Sequence, residues 1–274
     1  MPAADPARSD LPAPPVPASA RHWALLLDVD GTLLDFRDDP AAVVVDDALR
    51  CRLVDLHRLL DGALALVSGR ALADLDRLFG LPWAMAGLHG LELRHADGRR
   101  QDTPLDIASL QHLRRRARHL AASLDGVQLE DKGRAIALHC RRHPDRYESL
   151  LAAAAELADS LEGYELQAGN LVTEIKPEGM DKGRAVDALL AQPPFRNRHP
   201  VYLGDDLTDE HAFAAVAAHR GWAIRVGDRT PTVARFTLPS PAAVQHWLGC
   251  VHDAIQRGNA SHAHGPPGEP SGEP

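Results

Sequence analysis

The sequence predicts an α/β protein: a Rossmann-like core on a mainly parallel sheet, interrupted by an inserted α+β domain. Two observations carry that expectation. Apolar runs of strand length alternate with amphipathic helical segments on both sides of the chain's middle, as in a parallel sheet covered by helices. Between about 104 and 176 the alternation gives way to two helical segments and four closely spaced strands, a small unit of its own. The expected division is a disordered tail at 1–20, a core at 21–103 and 177–256, an insert at 104–176 and a second disordered tail at 257–274.

The elements follow in order. The apolar run 23–28 is a buried strand, and Leu49, Leu53, Leu56 and Leu60 recur at helical spacing across 46–60 until Gly62 stops the helix. A second strand at 63–67 leads into a short helix at 71–79, closed by Gly80 and Pro82. Strands at 84–87 and 91–95 come next, the latter turning at Asp97-Gly98, a hairpin signal. In the insert, Leu110, Leu113, Ala117, Leu120 and Leu124 form a helical stripe, with Arg114, Arg115, Arg116 and Arg118 on its solvated face. Strands at 127–131 and 134–140, a helix at 147–161 and strands at 164–168 and 171–176 complete it. The core resumes with a helix at 182–191, a strand at 201–204, a helix at 208–218 and a strand at 222–226. Ser240-Pro241, an N-cap followed by proline at the first helical position, opens a last helix.

Composition narrows the function. A net charge of -8, a pI near 6.0 and 4% aromatic residues argue against nucleic acid, which asks for a basic footprint and stacking surfaces. Cys51, Cys140 and Cys250 contain no CxxC spacing and make neither a disulfide framework nor a zinc site. The apolar run 23–27 is too short to cross a bilayer, and the N-terminus lacks the pattern of a signal peptide. A cytoplasmic monomer acting on a small molecule, without membrane or nucleic acid, is expected. Many of the prolines gather at 2–17 and 258–274, and His262 and His264 in the second tail read as incidental.

The chemistry is in the strand ends. The first strand runs into Asp28-Val29-Asp30-Gly31-Thr32, and alternation along a strand makes Asp28 and Asp30 project together. Ligands bind at the carboxyl ends of strands in open α/β sheets. Val201-Tyr-Leu-Gly is another apolar run ending in acids, Asp205 and Asp206 with Asp209 and Glu210 beyond, and Thr208 is placed to cap the following helix. Two acidic strand ends on one edge make a hard, oxygen-only cation site that suits Mg²⁺ better than zinc. Ser68-Gly69-Arg70 closes the second strand and offers a hydroxyl and backbone N–H groups to a phosphate. Lys182 stands at a helix start, where a cation opposes the helix dipole unless an anion compensates. In the insert, Glu130 with Lys132 and Glu174 with Lys176 are spaced two apart near strand ends. Such pairs suit sugar hydroxyls, and cross-strand salt bridges explain them equally well.

These motifs, in this order, resemble the haloacid dehalogenase-like (HAD) phosphohydrolase superfamily. The strings LDVDGTLL, VSGR, AGLHGLELR, TEIKPEGMDKGRA and GDDLTDEHAF resemble its trehalose-6-phosphate phosphatase family. The resemblance implies a HAD-like core with a cap domain that hydrolyses a phosphorylated sugar. It implies that Asp28 is the nucleophile, Asp30 the general acid/base, and Ser68 and Lys182 the phosphoryl clamp. Asp28, Asp205 and the Asp30 carbonyl would hold Mg²⁺, with Asp206 and Asp209 completing or orienting its shell. The same resemblance assigns substrate binding to Ser68, Gly69, Arg70, His89 and Lys182 on the core side and to Glu130, Lys132, Glu174 and Lys176 on the cap. Another sugar phosphate (sucrose 6-phosphate or a glycosyl phosphoglycerate) is the alternative substrate. A non-catalytic sugar-phosphate-binding module is the alternative of a different class.

Overall fold

The computed structural model describes residues 11–16, 20–36, 43–169 and 171–263, without the side chains of 259–263. Most of the two expected tails, with His264 and the side chain of His262, lies outside the described residues.

The core is an eight-stranded sheet in the order β12-β11-β10-β1-β2-β3-β4-β5. Its first half comprises β1 (Trp23–Leu27), β2 (Leu64–Val67), β3 (Met85–Gly87), β4 (Glu92–Arg94) and β5 (Arg100–Asp102). The C-terminal half adds β10 (His199–Gly204), β11 (Trp222–Val226) and β12 (Phe236–Leu238). From β12 through to β3 all pairings are parallel, and β4 and β5 are antiparallel additions at one edge. All five residues of β1 are buried, as a central strand covered on both faces requires.

Helices α1 (Asp47–Leu59) and α2 (Leu72–Phe79) make the crossovers from β1 to β2 and from β2 to β3. Asp46 caps α1 by accepting from the Leu49 N–H at 2.7 Å, and Leu49, Leu53 and Leu56 face the core. On the other half, α5 (Lys182–Leu190) leads into β10, α6 (Asp209–Ala218) joins β10 to β11, and α7 (Pro241–Ala263) is the last element of the described residues.

Between β5 and α5 lies a second, fully antiparallel sheet in the order β6-β7-β9-β8, formed by β6 (Gln128–Asp131), β7 (Ile136–His139), β8 (Tyr164–Gly169) and β9 (Val172–Pro177). Helices α3 (Ile107–Ser123) and α4 (Tyr147–Asp159) cover one of its faces, burying Leu110, Leu113, Ile136, Leu138, Leu150 and Ile175 in a core of their own. Strand alternation puts Glu130, Glu174 and Gln167 on the opposite face. The register aligns them in one row, Glu130 opposite Ala137, Ala137 opposite Glu174, Glu174 opposite Gln167.

Several boundaries differ from the sequence expectation. The hairpin turn at Asp97-Gly98 does exist, and its return strand is β5, whose exposed Arg-Gln-Asp carries no apolar pattern. Strand β12 is three residues long and was not expected. Residues 11–16, expected in a tail, lie against the core: Leu11 packs on it and the Pro12 carbonyl accepts from the Thr237 N–H at 3.1 Å. The last helix continues past 256 to Ala263.

Candidate active site

Strand β1 passes into the site without a break, because the Asp28 N–H donates to the Leu203 carbonyl at 3.0 Å and extends the ladder with β10. The chain then turns tightly, the Gly31 N–H reaching the Leu34 carbonyl at 2.7 Å. Gly31 has φ +82°, and a side chain there would run into the Asp205 carboxylate. Thr32 Oγ1 donates to Asp205 Oδ1 at 3.0 Å, tying this turn to the end of β10.

Asp209 is fully buried and organises that second strand end. Its Oδ2 accepts from the backbone N–H groups of Asp205 at 3.1 Å and Asp206 at 2.9 Å. Its Oδ1 accepts from Tyr202 Oη at 2.6 Å and Lys182 Nζ at 2.7 Å. Gly204 makes room, since a Cβ there would collide with Asp209. The expectation that the Thr208 hydroxyl caps α6 is corrected, for the Thr208 side chain makes no cap hydrogen bond. The acidic first turn, Asp209 and Glu210, suits the helix dipole in its place.

Lys182, the first residue of α5, also donates to Asp28 Oδ1 at 2.7 Å. Asp181, whose side chain accepts from the Arg184 N–H at 2.9 Å, caps the helix, so the unfavourable position of Lys182 is offset by two carboxylates. Burial opposes the lysine's charge, yet Asp209 and Asp28 outweigh it and raise the ammonium's pKa. Asp28 is pushed well above the carboxylate range by burial and Asp209, against the pull of Lys182. Asp205 is pushed up to about 7, again by burial and then Asp209.

Ligand-type oxygens of Asp28, Asp205 and Asp209 lie within 4.8 Å of one another. Two of these groups are buried, one is half-buried, and Lys182 supplies a single positive charge against three carboxylates. Oxygen-only donors with that excess of negative charge fit a hard divalent cation. The carboxylates of Asp30 and Asp206 are outside this group. Asp206 Oδ1 lies 3.5 Å from Arg229 Nη2. Asp30 is gripped by Arg70 through two parallel contacts of 2.6 Å, from Nε to Oδ2 and from Nη2 to Oδ1. Asp28 and Asp30 line one cavity, and each meets a cation, Asp28 sharing Lys182 with Asp209 and Asp30 pairing with Arg70. Ser68 is buried and its Oγ accepts from the Arg70 N–H at 3.1 Å, a turn that aims the arginine.

A cavity of about 600 Å³ lies between these groups and the second sheet. Asp28, Asp30, Ser68, Gly69, Arg70, His89 and Lys182 line it from the core, and Glu130, Lys132, Gln167 and Glu174 line it from the insert. Lys132 Nζ donates to Glu174 Oε2 at 2.8 Å and to the Gly69 carbonyl at 3.1 Å, so one side chain spans both walls. Glu130 Oε2 is 2.8 Å from His139 Nε2, and His89 Nε2 is 2.9 Å from the Gln167 amide and 3.5 Å from Glu174 Oε2. Burial lowers the His89 pKa. Glu174 is held well below the carboxylate range because Lys132 and His89 overcome the penalty of its burial.

Lys176 does not line the cavity, although alternation puts it on the same face as Glu174. Its side chain is 2% exposed, and its ammonium is taken up by Glu165, opposite it on β8, and by the Met180 carbonyl. The sugar-binding expectation for Lys176 is corrected in favour of a cross-strand ion pair. Thr32, Tyr202, Gln167, His139 and Arg229 were not anticipated. Tyr202 and Gln167 find their partners, Asp209 and His89, on elements outside their own sheets' strands, which spacing along a strand does not reveal.

A sequence profile of the trehalose-phosphatase family matches residues 26–242. A probable trehalose-phosphate phosphatase of Sinorhizobium fredii is 42% identical over 229 residues, covering 82% of this chain and 85% of the relative. The trehalose-6-phosphate phosphatase of Escherichia coli is 36% identical over 249 residues, covering 90% and 92% respectively. Among solved structures, the C-terminal domain of the C. albicans trehalose-6-phosphate phosphatase superposes with a TM-score of 0.78 at 23% identity, over 90% of this chain and 99% of that one, and shows the same fold.

Proposed function

This chain belongs to the trehalose-phosphatase family, and from that premise we propose that it hydrolyses trehalose 6-phosphate to trehalose and phosphate, with Asp28 as nucleophile. The observation that carries the reading is a buried carboxylate, Asp28, fixed by Lys182 in a cavity whose opposite wall is a row of hydrogen-bonding side chains.

Asp28 attacks phosphorus while the bond from phosphorus to the sugar oxygen breaks, leaving an aspartyl-phosphate. Asp30 gives its proton to the departing oxygen, then removes one from the water that attacks the same phosphorus. The second displacement frees phosphate and restores the Asp28 carboxylate. Asp30 has both oxygens on Arg70, so it exchanges one of those contacts for the substrate oxygen before it acts. Ser68 and Lys182 hold the phosphoryl oxygens, and Lys182 also keeps Asp28 aligned. Asp28 and Asp205 would hold Mg²⁺ together with the Asp30 carbonyl, Asp206 would stand at its edge, and Asp209 braces the set through its four hydrogen bonds. When bound, the ion neutralises charge on the phosphoryl oxygens and lets two anions approach.

The insert acts as a cap that selects the sugar. Glu130, Lys132, Glu174 and Gln167 offer acceptors and donors to hydroxyl groups, and a sugar that leaves them unpaired is penalised. His89 and Arg70 complete this wall from the core. We place the enzyme in the cytoplasm as a monomer whose partner is this small phosphosugar; among the described residues no helix is long and apolar enough to cross a membrane.

Phosphate release from trehalose 6-phosphate, sucrose 6-phosphate and a glycosyl phosphoglycerate, with and without Mg²⁺, tests the reading. A clear preference for the first is expected. Equal rates on all three would overturn the substrate, and full activity of Asp28→Asn would overturn the mechanism.

A further inference from the structure

The insert meets the core along two chain crossings, and a cation from the insert grips a backbone carbonyl at each. On the outgoing crossing, Arg134 Nη1 donates to the Thr103 carbonyl at 2.6 Å, and Arg134 Nη2 lies 3.2 Å from Asp102. On the return, the buried Lys176 donates to the Met180 carbonyl and pairs with Glu165. Met180 is two residues before Lys182. Its side chain packs against a small apolar cluster of Leu88 and Leu91 from the core and Ala135 from the insert. Between Met180 and Lys182 stands only Asp181, the cap of α5.

We propose that Lys176 is a positioning residue for the phosphoryl clamp: by holding the Met180 carbonyl it sets where α5 begins, and so where the Lys182 ammonium meets Asp28. The two grips have different reach. Arg134 fixes a crossing that leads into α3, far in sequence from any group of the site. Lys176 fixes one that leads, within two residues, to a side chain touching the nucleophile. Its own amine has no access to the sugar, because Glu165 and Met180 absorb it and the side chain is 2% exposed. A displacement of about 1 Å at a reacting group is enough to cost about a hundredfold in rate, so a smaller shift of Lys182 relayed from the Met180 carbonyl suffices for a loss of about tenfold.

The inference rests on the phosphatase reading, and only one arm of its test depends on the sugar. Steady-state constants of Lys176→Met, Lys176→Arg and Glu165→Gln are measured on trehalose 6-phosphate and on p-nitrophenyl phosphate, alongside thermal unfolding. For Lys176→Met we expect kcat to fall about tenfold on both substrates, with KM for trehalose 6-phosphate changed by less than about twofold. Lys176→Arg, which keeps a cationic donor, is expected to recover most of the loss. A loss confined to trehalose 6-phosphate and seen in KM would make Lys176 a sugar contact after all and overturn the inference. Unchanged constants with a lowered Tm would reduce it to a structural brace and overturn it equally. If Lys176→Met does not fold, Glu165→Gln decides: a smaller, equal loss of kcat on both substrates supports the inference, and no loss on either refutes it. A wild-type protein that cleaves the aryl phosphate and ignores trehalose 6-phosphate would sink the substrate reading alone, leaving Lys176 to be judged on the aryl phosphate.

Discussion

Replacing Lys182 with methionine removes a cation that Asp28 and Asp209 share at 2.7 Å each. Each contact is a charge-assisted hydrogen bond, worth about 1.5–3 kcal/mol, so the two together amount to about 3–6 kcal/mol. Breaking a buried ion pair from one side costs about 3–5 kcal/mol by mutational precedent, and the two routes agree. Asp28, with its pKa already raised by burial, accepts a proton in the variant and trims the loss toward the lower end, about 3 kcal/mol. The pH dependence has a definite sign. Lys182 has a raised folded pKa, so its own stabilisation is complete below the ordinary lysine range and gives no slope near neutrality. Asp28, which it leaves behind, has a folded pKa raised by burial and Asp209, a shift that destabilises as pH rises. The deficit of Lys182→Met therefore grows from acid toward neutral pH. Urea unfolding in chelator measures it, and saturating Mg²⁺ restores about 2.7 kcal/mol at a hundred times its Kd. On the mechanism proposed above, the same variant also loses a clamp on the phosphoryl group, and kcat is expected to fall about 100- to 1,000-fold. A variant within about 1 kcal/mol of the parent in chelator, at every pH, would show that the three carboxylates do not depend on this lysine.

Two further outcomes test other parts of the site. Asp205 titrates near 7 in the folded protein against 3.8 for the free group, so the metal-free protein binds more protons than its unfolded chain in that window. Its stability declines as pH rises from about 4 to about 7, and Mg²⁺ flattens the decline; denaturation at several pH values with and without the ion reads this, and a rising metal-free curve contradicts it. Glu130→Gln removes an acceptor from the cap row while leaving the core untouched. The ratio of kcat/KM on trehalose 6-phosphate to that on p-nitrophenyl phosphate is expected to fall about tenfold, the scale of one charged hydrogen bond. An unchanged ratio removes Glu130 from sugar recognition.

The parts of this molecule that chain chemistry announces are the ones where a rule is visibly broken. Asp28 and Asp205 stand out because acids succeed apolar runs at the ends of central strands, and Lys182 because a cation sits at the wrong end of a helix. Segments that obey every rule, or are too short to display one, stay hidden. Strand β5 is three exposed polar residues, and β12 has only three residues with which to show a period of two. The Lys176 partner depends on the register between β8 and β9, which places Glu165 opposite it. Residue spacing shows that Glu174 and Lys176 share a face and is silent on which of them the fold covers. Arg70 is similar: its position beside Ser68 implies a phosphate, and only the three-dimensional pairing shows that its guanidinium is already committed to Asp30.

The order of the central sheet also has a consequence for how the protein is made. Strand β1 is completed on one side by β2, a neighbour in the chain, and on the other by β10, whose residues emerge from the ribosome only after the whole cap. Until then a fully apolar strand, Trp-Ala-Leu-Leu-Leu, presents an unpaired row of backbone groups along one edge. The strand that runs into Asp28 is thus an adhesive edge of the growing chain. Its arriving partner covers that edge and brings Asp205 beside Asp28, so closing the sheet and assembling the carboxylate cluster are one event.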